Sequence, residues 1–325
     1  MLIKYPDKHK PKVLITGQIN HELLEEFRDM AEFHLWEDKG EILMPAKYLH
    51  TVIHDYEGII NFADVKTDKE LIQKAKKLKI IANASVGFDN LDKELLTKNK
   101  IWGSNVPEIF SYPVAEYVIA CLFMLLRRLN EADQFVRNNQ WEKFEPGRWD
   151  GSSLKEKTLG ILGLGAIGKE LRKISLSLGV KTYYFDPVNT KEEGWTPLDQ
   201  LFDLSDILSI HVPLNARTFQ LIDKKRIDSM KEGAILVNTS RGPVIEEKTL
   251  IRALETGRLG GAILDVFEQE PNVPDALKKM NNVILTPHIA GGTKTTRNAS
   301  LKQALMNVAE VLRGRIPVNP LNNLI

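Results

Sequence analysis

The chain has 325 residues, 43% hydrophobic and 27% charged, with 44 basic and 43 acidic side chains and a net charge of +1. That length makes two globular domains rather than one. The near-neutral balance excludes nucleic acid or an anionic membrane as the main partner, although it leaves room for a local basic patch.

The lone cysteine, Cys121, cannot form an internal disulfide. It lies in the apolar run Tyr117 to Leu126 and reads as a buried structural thiol. The opening segment has no apolar core of signal-peptide length. VAEYVIACLFMLL, interrupted by Glu116 and stopped by Arg127, is too short to span a membrane. The expected compartment is the cytoplasm.

Taken in chain order, Lys12 to Thr16 reads as a strand ending at Gly17, and Glu22 to Met30 as a helix. Gly58 to Asn61 is a short apolar strand. Asp68 to Leu78 has helical spacing with a lysine-rich outer face, and Lys79 to Asn83 is the next strand. Alternating strands and helices imply a parallel sheet with helices on its faces. Pro113 to Leu129 is the longest helical run, with Pro113 suited to the first turn and Ser111 near the cap. The segment NNQWEKFEPGRWDGSS then reads as a connecting loop. From Thr158 onward six strand candidates alternate with helices: TLGILG, VKTYYFD, DILSIHV, AILVNTS, GGAILDV and NVILTPH. That order predicts a second, complete doubly wound domain. A last helix is expected from about Lys294 to Arg313.

Gly163-Leu164-Gly165-Ala166-Ile167-Gly168 fits G-x-G-x-x-G. The pattern alone is weak, but here a strand, Thr158 to Leu162, runs into it and a helix, Lys169 to Leu178, runs out. Gly163 allows a tight turn, Gly165 a close approach to a pyrophosphate, and Gly168 close packing of helix on strand. Free N–H groups at the helix start, near Ala166 and Ile167, suit phosphate oxygens. The next strand ends at Asp186, close to the expected spacing of about 20 residues. An acid there accepts bonds from both ribose hydroxyls and repels a 2′-phosphate. Pro187, Val188 and Asn189 supply no arginine to receive one. The expected cofactor is therefore NAD rather than NADP.

Three polar residues follow apolar strands of this second domain: Arg241 after AILVNTS, Glu270 after GGAILDVFEQE, and His288 after NVILTP. The carboxyl ends of strands in such a sheet line the ligand crevice. A guanidinium can bind a carboxylate and polarise a carbonyl, a histidine can protonate a nascent alkoxide, and a carboxylate can orient the ring. Each also has a plainer reading: a surface-loop arginine, a solvated turn acid, a core histidine bonded to backbone. Their joint placement favours the chemical one.

Seven blocks spanning nearly the whole chain carry a family resemblance: ASVGFDNLD (84–92), VAEYVIA (114–120), ILGLGAIGKE (161–170), HVPLNARTFQLID (211–223), NTSRGPVIEE (238–247), LDVFEQEP (264–271) and TPHIAGGT (286–293). In this order and spacing the chain resembles the D-isomer-specific 2-hydroxyacid dehydrogenases. The resemblance implies catalytic roles for Arg241, Glu270 and His288, and substrate-carboxylate contacts from the backbone of Val86 and Gly87 together with Arg241. It implies cofactor contacts at Ala166, Ile167, Asp186, Pro213, Thr218, Thr239, Arg241, Asp265 and the run His288 to Gly291, with Asp265 on the nicotinamide carboxamide. Asp265 also suits a plain strand-end cap.

The same resemblance implies an α/β architecture of two doubly wound parallel-sheet domains. One is a discontinuous flavodoxin-like substrate domain, 1–108 plus 294–325. The other is a Rossmann NAD-binding domain, 109–293. A cleft that closes on substrate is implied between them, as is a homodimer built around the helix of the VAEYVIA block. No residue is assigned to a metal. The implied reaction is NAD-dependent reduction of a small 2-keto acid by hydride transfer, with His288 as proton donor. The S-V-G form of the first block is similar to the glyoxylate and hydroxypyruvate branch.

A short phosphoglycerate dehydrogenase is the alternative within the family. A formate dehydrogenase is disfavoured, because that branch carries glutamine where Glu270 stands. An NAD-sensing corepressor-like binding protein is the alternative of another class, disfavoured by the short tails. Two segments depart from the family pattern. Tyr112-Pro113 precedes the VAEYVIA block, and EPGRWDG (145–151) places Arg148 and Trp149 either toward substrate or in a packed loop.

Overall fold

A computed structural model describes residues 2–5, 10–38, 40–62 and 65–324. The opening segment, read as carrying no leader, includes Met1 and residues 6–9, which lie outside the described residues. The chain divides into two compact units, residues 1–110 with 293–325 and residues 111–292.

The first unit holds strands β1 (Leu2–Tyr5), β2 (Lys12–Ile15), β3 (Glu32–Trp36), β4 (Gly58–Asn61), β5 (Ile80–Asn83) and β6 (Trp102–Ser104). Its helices are α1 (Glu22–Glu25), α2 (Ala46–Val52), α3 (Lys69–Lys74), α4 (Lys93–Lys98) and, from the far end of the chain, α12 (Lys294–Leu312). The strand order is β1-β3-β2-β4-β5-β6. All neighbours are parallel except the edge strand β1, which runs antiparallel to β3. Without that edge strand the order is the flavodoxin-like one.

Alternation along each strand feeds two cores. Val13, Ile15, Ile60, Ile80 and Ala82 face α12 through Leu301, Ala304, Leu305 and Val308. Leu14, Ile59 and Ile81 face α2, α3 and α4 through Leu49, Leu71, Ile72 and Leu96. Each Val, Leu or Ile side chain among them contributes about 1.5–3 kcal/mol when taken from water.

Several elements differ from expectation. The helix expected over Glu22 to Met30 stops at Glu25, because Phe27 and Met30 bond only three residues back, in successive turns that lead into β3. Asp68 lies outside α3 as its cap, its carboxylate accepting from Leu71 N at 2.7 Å. β3 escaped the pattern because Glu32 and His34 interrupt it, yet both are buried. His34 bonds Glu32 Oε1 through Nε2 at 2.6 Å and the Tyr56 hydroxyl through Nδ1 at 2.7 Å.

The second unit carries α5 (Ser111–Leu126), α6 (Leu129–Arg137), β7 (Thr158–Leu162), α7 (Ala166–Ser177), β8 (Lys181–Phe185), α8 (Leu198–Leu204), β9 (Ile207–Ile210), α9 (Lys224–Ser229), β10 (Ala234–Asn238), α10 (Glu247–Glu255), β11 (Leu259–Leu264), α11 (Asp275–Lys278) and β12 (Val283–Leu285). All six expected strands form, entirely parallel, in the order β12-β11-β10-β9-β7-β8. One more strand is reduced to a single parallel bridge, Trp195 on Tyr184. With it the order becomes that of a Rossmann sheet.

Helix α5 begins at Ser111 and ends at Leu126, and α12 is longer. Arg128, in the left-handed region at φ 52°, bends the chain from α5 into α6, which the sequence reading missed. Helix α7 starts at Ala166, before the expected Lys169. The α5 and α7 face packs on Leu159, Ile161, Val237 and Ile263. The α8, α9 and α10 face packs on Leu162, Leu208, Leu236 and Leu264. Among the described residues no helix is long and apolar enough to cross a membrane.

Candidate active site

Strands β7 and β9 are neighbours although β8 lies between them in sequence, so the chain leaves β7 and β9 in opposite directions. A crevice opens at such a point, beyond the carboxyl ends of the strands. The glycine turn lies there. Gly163 has φ 98°, and a Cβ on Gly168 would stand 2.2 Å from the Gly163 carbonyl oxygen, so the helix start is held against the turn. A Cβ on Gly165 would meet nothing within 4 Å. The Ala166 and Ile167 N–H groups reach no acceptor among the described residues. A concave backbone with open space and unmatched donors suits a pyrophosphate.

Asp186 is partly exposed and joins this turn to the end of β8. Its Oδ2 accepts from Leu164 N at 2.8 Å, and its Oδ1 accepts from Val188 N and Asn189 N, each at 2.9 Å. Burial pushes its pKa up, but these donors and Lys169 prevail and hold it below the ordinary aspartate value. Lys169 and Arg172 both pair with Glu192, at 3.7 and 3.2 Å. His211, at the end of β9, shares its Nε2 with Ser209 Oγ at 2.8 Å, and burial pushes its imidazole down to about 4. In the following loop Thr218 Oγ1 donates to the Pro213 carbonyl at 2.5 Å. Thr239, just past β10, has a buried hydroxyl with no partner among the described residues. A buried unmatched hydroxyl beside this crevice is another fit for a bound group.

The ends of β10, β11 and β12 carry the polar residues. Arg241 follows β10 in extended backbone. A Cβ on Gly242 would fall 1.9 Å from the Phe267 carbonyl carbon, so only glycine lets the Arg241 segment approach the turn that holds Glu270. Glu270 Oε1 accepts from Phe267 N at 3.1 Å, and Oε2 meets His288 Nδ1 at 2.9 Å. Burial raises the Glu270 pKa, but the bond and charge of His288, the Phe267 N–H and the Arg241 charge outweigh it and leave the carboxyl below its ordinary value. His288 Nε2 reaches no acceptor among the described residues. One ring nitrogen is thus held by a carboxylate and the other remains for proton transfer.

The turn bearing His288 is organised by Asp265, which is 1% exposed. Its Oδ1 accepts from Thr286 Oγ1 at 2.6 Å and Ile289 N at 2.8 Å, its Oδ2 from Ala290 N at 2.8 Å, and its carbonyl from His288 N at 2.9 Å. Gly291 closes the turn, next to the bond from Gly292 N to the Ile289 carbonyl at 2.7 Å. The strand-end role therefore accounts for three of the lone pairs of Asp265.

The first unit holds Val86 and Gly87 in the loop after β5. The Ser85 carbonyl accepts from Val106 N, Val86 O from Asn105 Nδ2 at 2.7 Å, and Gly87 O from Asn83 Nδ2 at 3.0 Å and Ser85 Oγ at 3.1 Å. The Val86 and Gly87 N–H groups have no protein acceptor among the described residues, an arrangement able to receive an anion. Asn83 is itself tied to Asn61 and Asn90. Sequence reasoning missed Asn83, Asn105, Thr286 and Tyr117. A polar residue closing a buried apolar strand, as Asn83 does, was the available signal.

Arg148 and Trp149 form a stack on α6 within the second unit. Arg148 lies 4.3 Å from the Phe135 ring centre, the Trp149 and Phe135 ring centres are 5.2 Å apart, and Arg128 lies 5.1 Å from the Trp149 ring centre. This is the packed-loop alternative for Trp149.

Comparison with known proteins agrees with this geometry. Residues 119–290 match the family model "D-isomer specific 2-hydroxyacid dehydrogenase, NAD binding domain". A glyoxylate reductase of Thermococcus litoralis is 39% identical, with 96% of this chain and 97% of that protein covered. Among solved structures, the TT0316 protein of Thermus thermophilus superposes with a TM-score of 0.88 at 32% identity, covering 95% of this chain and 99% of that one. An NADPH-dependent glyoxylate/hydroxypyruvate reductase of Sinorhizobium meliloti, solved with NADP and malonate, gives 0.83 at 31% identity, covering 96% and 97%. The chain belongs to the D-isomer-specific 2-hydroxyacid dehydrogenase family, oxidoreductases that act on CH–OH donors, and its second unit is a nicotinamide-dinucleotide-binding domain.

Proposed function

We propose that the protein is an NAD-dependent reductase of glyoxylate, hydroxypyruvate or a similarly small 2-keto acid, with His288 as the proton donor. The observation that carries this reading is the 2.9 Å bond between His288 Nδ1 and Glu270, on a turn pinned by Asp265. The glyoxylate reductase relatives, matched over nearly their whole length, support the substrate class.

The glycine turn from Gly163 to Gly168 would hold a nicotinamide cofactor, which would supply the hydride chemistry. His288 gives the carbonyl oxygen its proton from Nε2, and Glu270 keeps the ring oriented and favours the imidazolium that precedes transfer. Arg241 receives the carboxylate and polarises the carbonyl. In the first unit, the Val86 and Gly87 N–H groups are the proposed carboxylate receptor, which makes that unit the substrate domain. The remaining assignments are cofactor contacts: Gly163, Gly165, Ala166, Ile167 and Gly168 on the pyrophosphate, Asp186 on the ribose, and Pro213, Thr218, Thr239, Asp265 and Gly291 along the cofactor's length. NAD is favoured over NADP by the Asp186 carboxylate and by the commitment of Lys169 and Arg172 to Glu192.

A homodimer belongs to the same reading. Tyr112, Leu129, Val136, Trp141 and Phe144 expose apolar surface on and after α5 and α6. Sedimentation at the mass of one chain would remove this part of the proposal.

The central test is NADH oxidation by the purified protein against glyoxylate, hydroxypyruvate, pyruvate and phosphohydroxypyruvate, repeated with NADPH. One of the first two substrates should dominate kcat/KM, with NADH preferred. Dominance of phosphohydroxypyruvate would name the phosphoglycerate branch instead. NADH binding with no turnover would favour a cofactor-sensing role.

A further inference from the structure

We propose that Tyr117 of α5 is a positioning residue for His288, acting through Thr286 and Asp265; the proposal rests on the reductase reading above. Four groups form an unbroken hydrogen-bonded line within the second unit. The Tyr117 hydroxyl lies 2.5 Å from Thr286 Oγ1, and Thr286 Oγ1 lies 2.6 Å from Asp265 Oδ1. That same carboxylate takes the N–H groups of Ile289 and Ala290, which follow His288.

The direction of the protons follows from valence. A carboxylate only accepts, so the single proton of Thr286 goes to Asp265. Thr286 then has only lone pairs to offer Tyr117, and Tyr117 must donate. Burial pushes the Tyr117 phenol well above its ordinary range, so the donor proton stays in place.

His288 needs such support. It sits in the left-handed region at φ 54°, a conformation that is unfavourable for a non-glycine residue. The turn persists because Asp265 holds both sides of it, and Asp265 can do so only in one carboxylate orientation. Thr286 bonds the Oδ1 that also takes Ile289 N, and Tyr117 orients the Thr286 hydroxyl, so the two hydroxyls help select that orientation. Loss of either lets the carboxylate rotate and the imidazole drift from its transfer geometry, where a displacement of about 1 Å costs up to roughly a hundredfold in rate.

The experiment uses the full chain and three variants. Tyr117→Phe removes one oxygen and keeps the ring, Thr286→Val removes the middle of the line at nearly constant volume, and Thr286→Ser restores its hydroxyl. Keto-acid reduction is measured with NADH affinity by fluorescence. The expected result is a kcat lowered roughly tenfold in Thr286→Val and several-fold in Tyr117→Phe, in the range of small misplacements. Because Asp265 is also a proposed cofactor contact, NADH Kd should weaken by less than kcat falls, while the keto-acid KM stays within about twofold and Thr286→Ser stands near the unsubstituted chain. Unchanged kcat in both deletions overturns the proposal, as does a loss that Thr286→Ser shares or one in which NADH binding weakens in proportion. An unsubstituted chain inactive toward every keto acid defeats the reductase reading and this proposal together. An active one with indifferent variants defeats the proposal alone.

Discussion

Two strands of the second unit end directly in an aspartate, β8 in Asp186 and β11 in Asp265, and each carboxylate accepts three hydrogen bonds from the protein. Asp186 is partly exposed and keeps a face toward solvent, whereas Asp265 is 1% exposed. The first organises a turn whose Ala166 and Ile167 N–H groups remain open among the described residues. The second saturates the turn around it and leaves only a side chain, His288, projecting. The same residue at the same place on a parallel strand thus braces a partly exposed glycine turn in one case and, from a buried position, the turn that presents His288 in the other.

The largest expected effect separates the two turns. His288→Ala should lower kcat by roughly a hundredfold to ten-thousandfold, the usual reach of a general acid, while NADH Kd holds. Near-normal turnover in that variant would end the assignment of proton transfer to this turn.

Next comes Asp265→Asn. The amide replaces an acceptor with an N–H₂ donor, which must face one of the three donors now bonded there. Leaving a buried donor unmatched costs about 1–3 kcal/mol, and the thermal midpoint should fall by several degrees. An unchanged midpoint would show that the buried carboxylate does not hold the turn.

Asp186→Ala should be milder in stability, because water replaces the carboxylate. Its effect belongs to cofactor choice: the preference for NADH over NADPH should narrow by roughly tenfold, equivalent to about 1.4 kcal/mol. A constant ratio would remove Asp186 from the ribose.

The smallest effect lies beside the glycine turn. His211 is held near 4 when folded against 6.5 in its ordinary state. Below about 6.5 the unfolded chain binds a proton that the folded chain refuses, so stability falls as pH drops toward 4. His211→Gln should flatten this part of the dependence of thermal midpoint on pH. Parallel curves for the two proteins would show that His211 carries none of it.

The two turns were unequally legible in the sequence. Gly163 to Gly168, Asp186, Arg241, Glu270 and His288 were readable because each follows an apolar strand, and strand ends in a parallel sheet share one edge. For Asp265 the resemblance implied a contact to the nicotinamide carboxamide, while the residue pattern alone suits a strand-end cap equally. Tyr117 and Thr286 were illegible: one sits inside an apolar helix and the other before a proline, and they meet only through the packing of α5 on the sheet.

β3 was hidden by Glu32 and His34, whose mutual bond inside the core cancels the polarity that made the segment look exposed. The sequence by itself determined the alternation of strands and helices, the two sheets, the glycine turn and which polar residues stand at strand ends. Local periodicity and the short reach of turn chemistry suffice for those. Only the tertiary structure decided which carboxylate is buried, which N–H groups stay open and which hydroxyls join end to end. Those depend on contacts between segments far apart in the chain, where desolvation and distances of a few tenths of an ångström set the outcome.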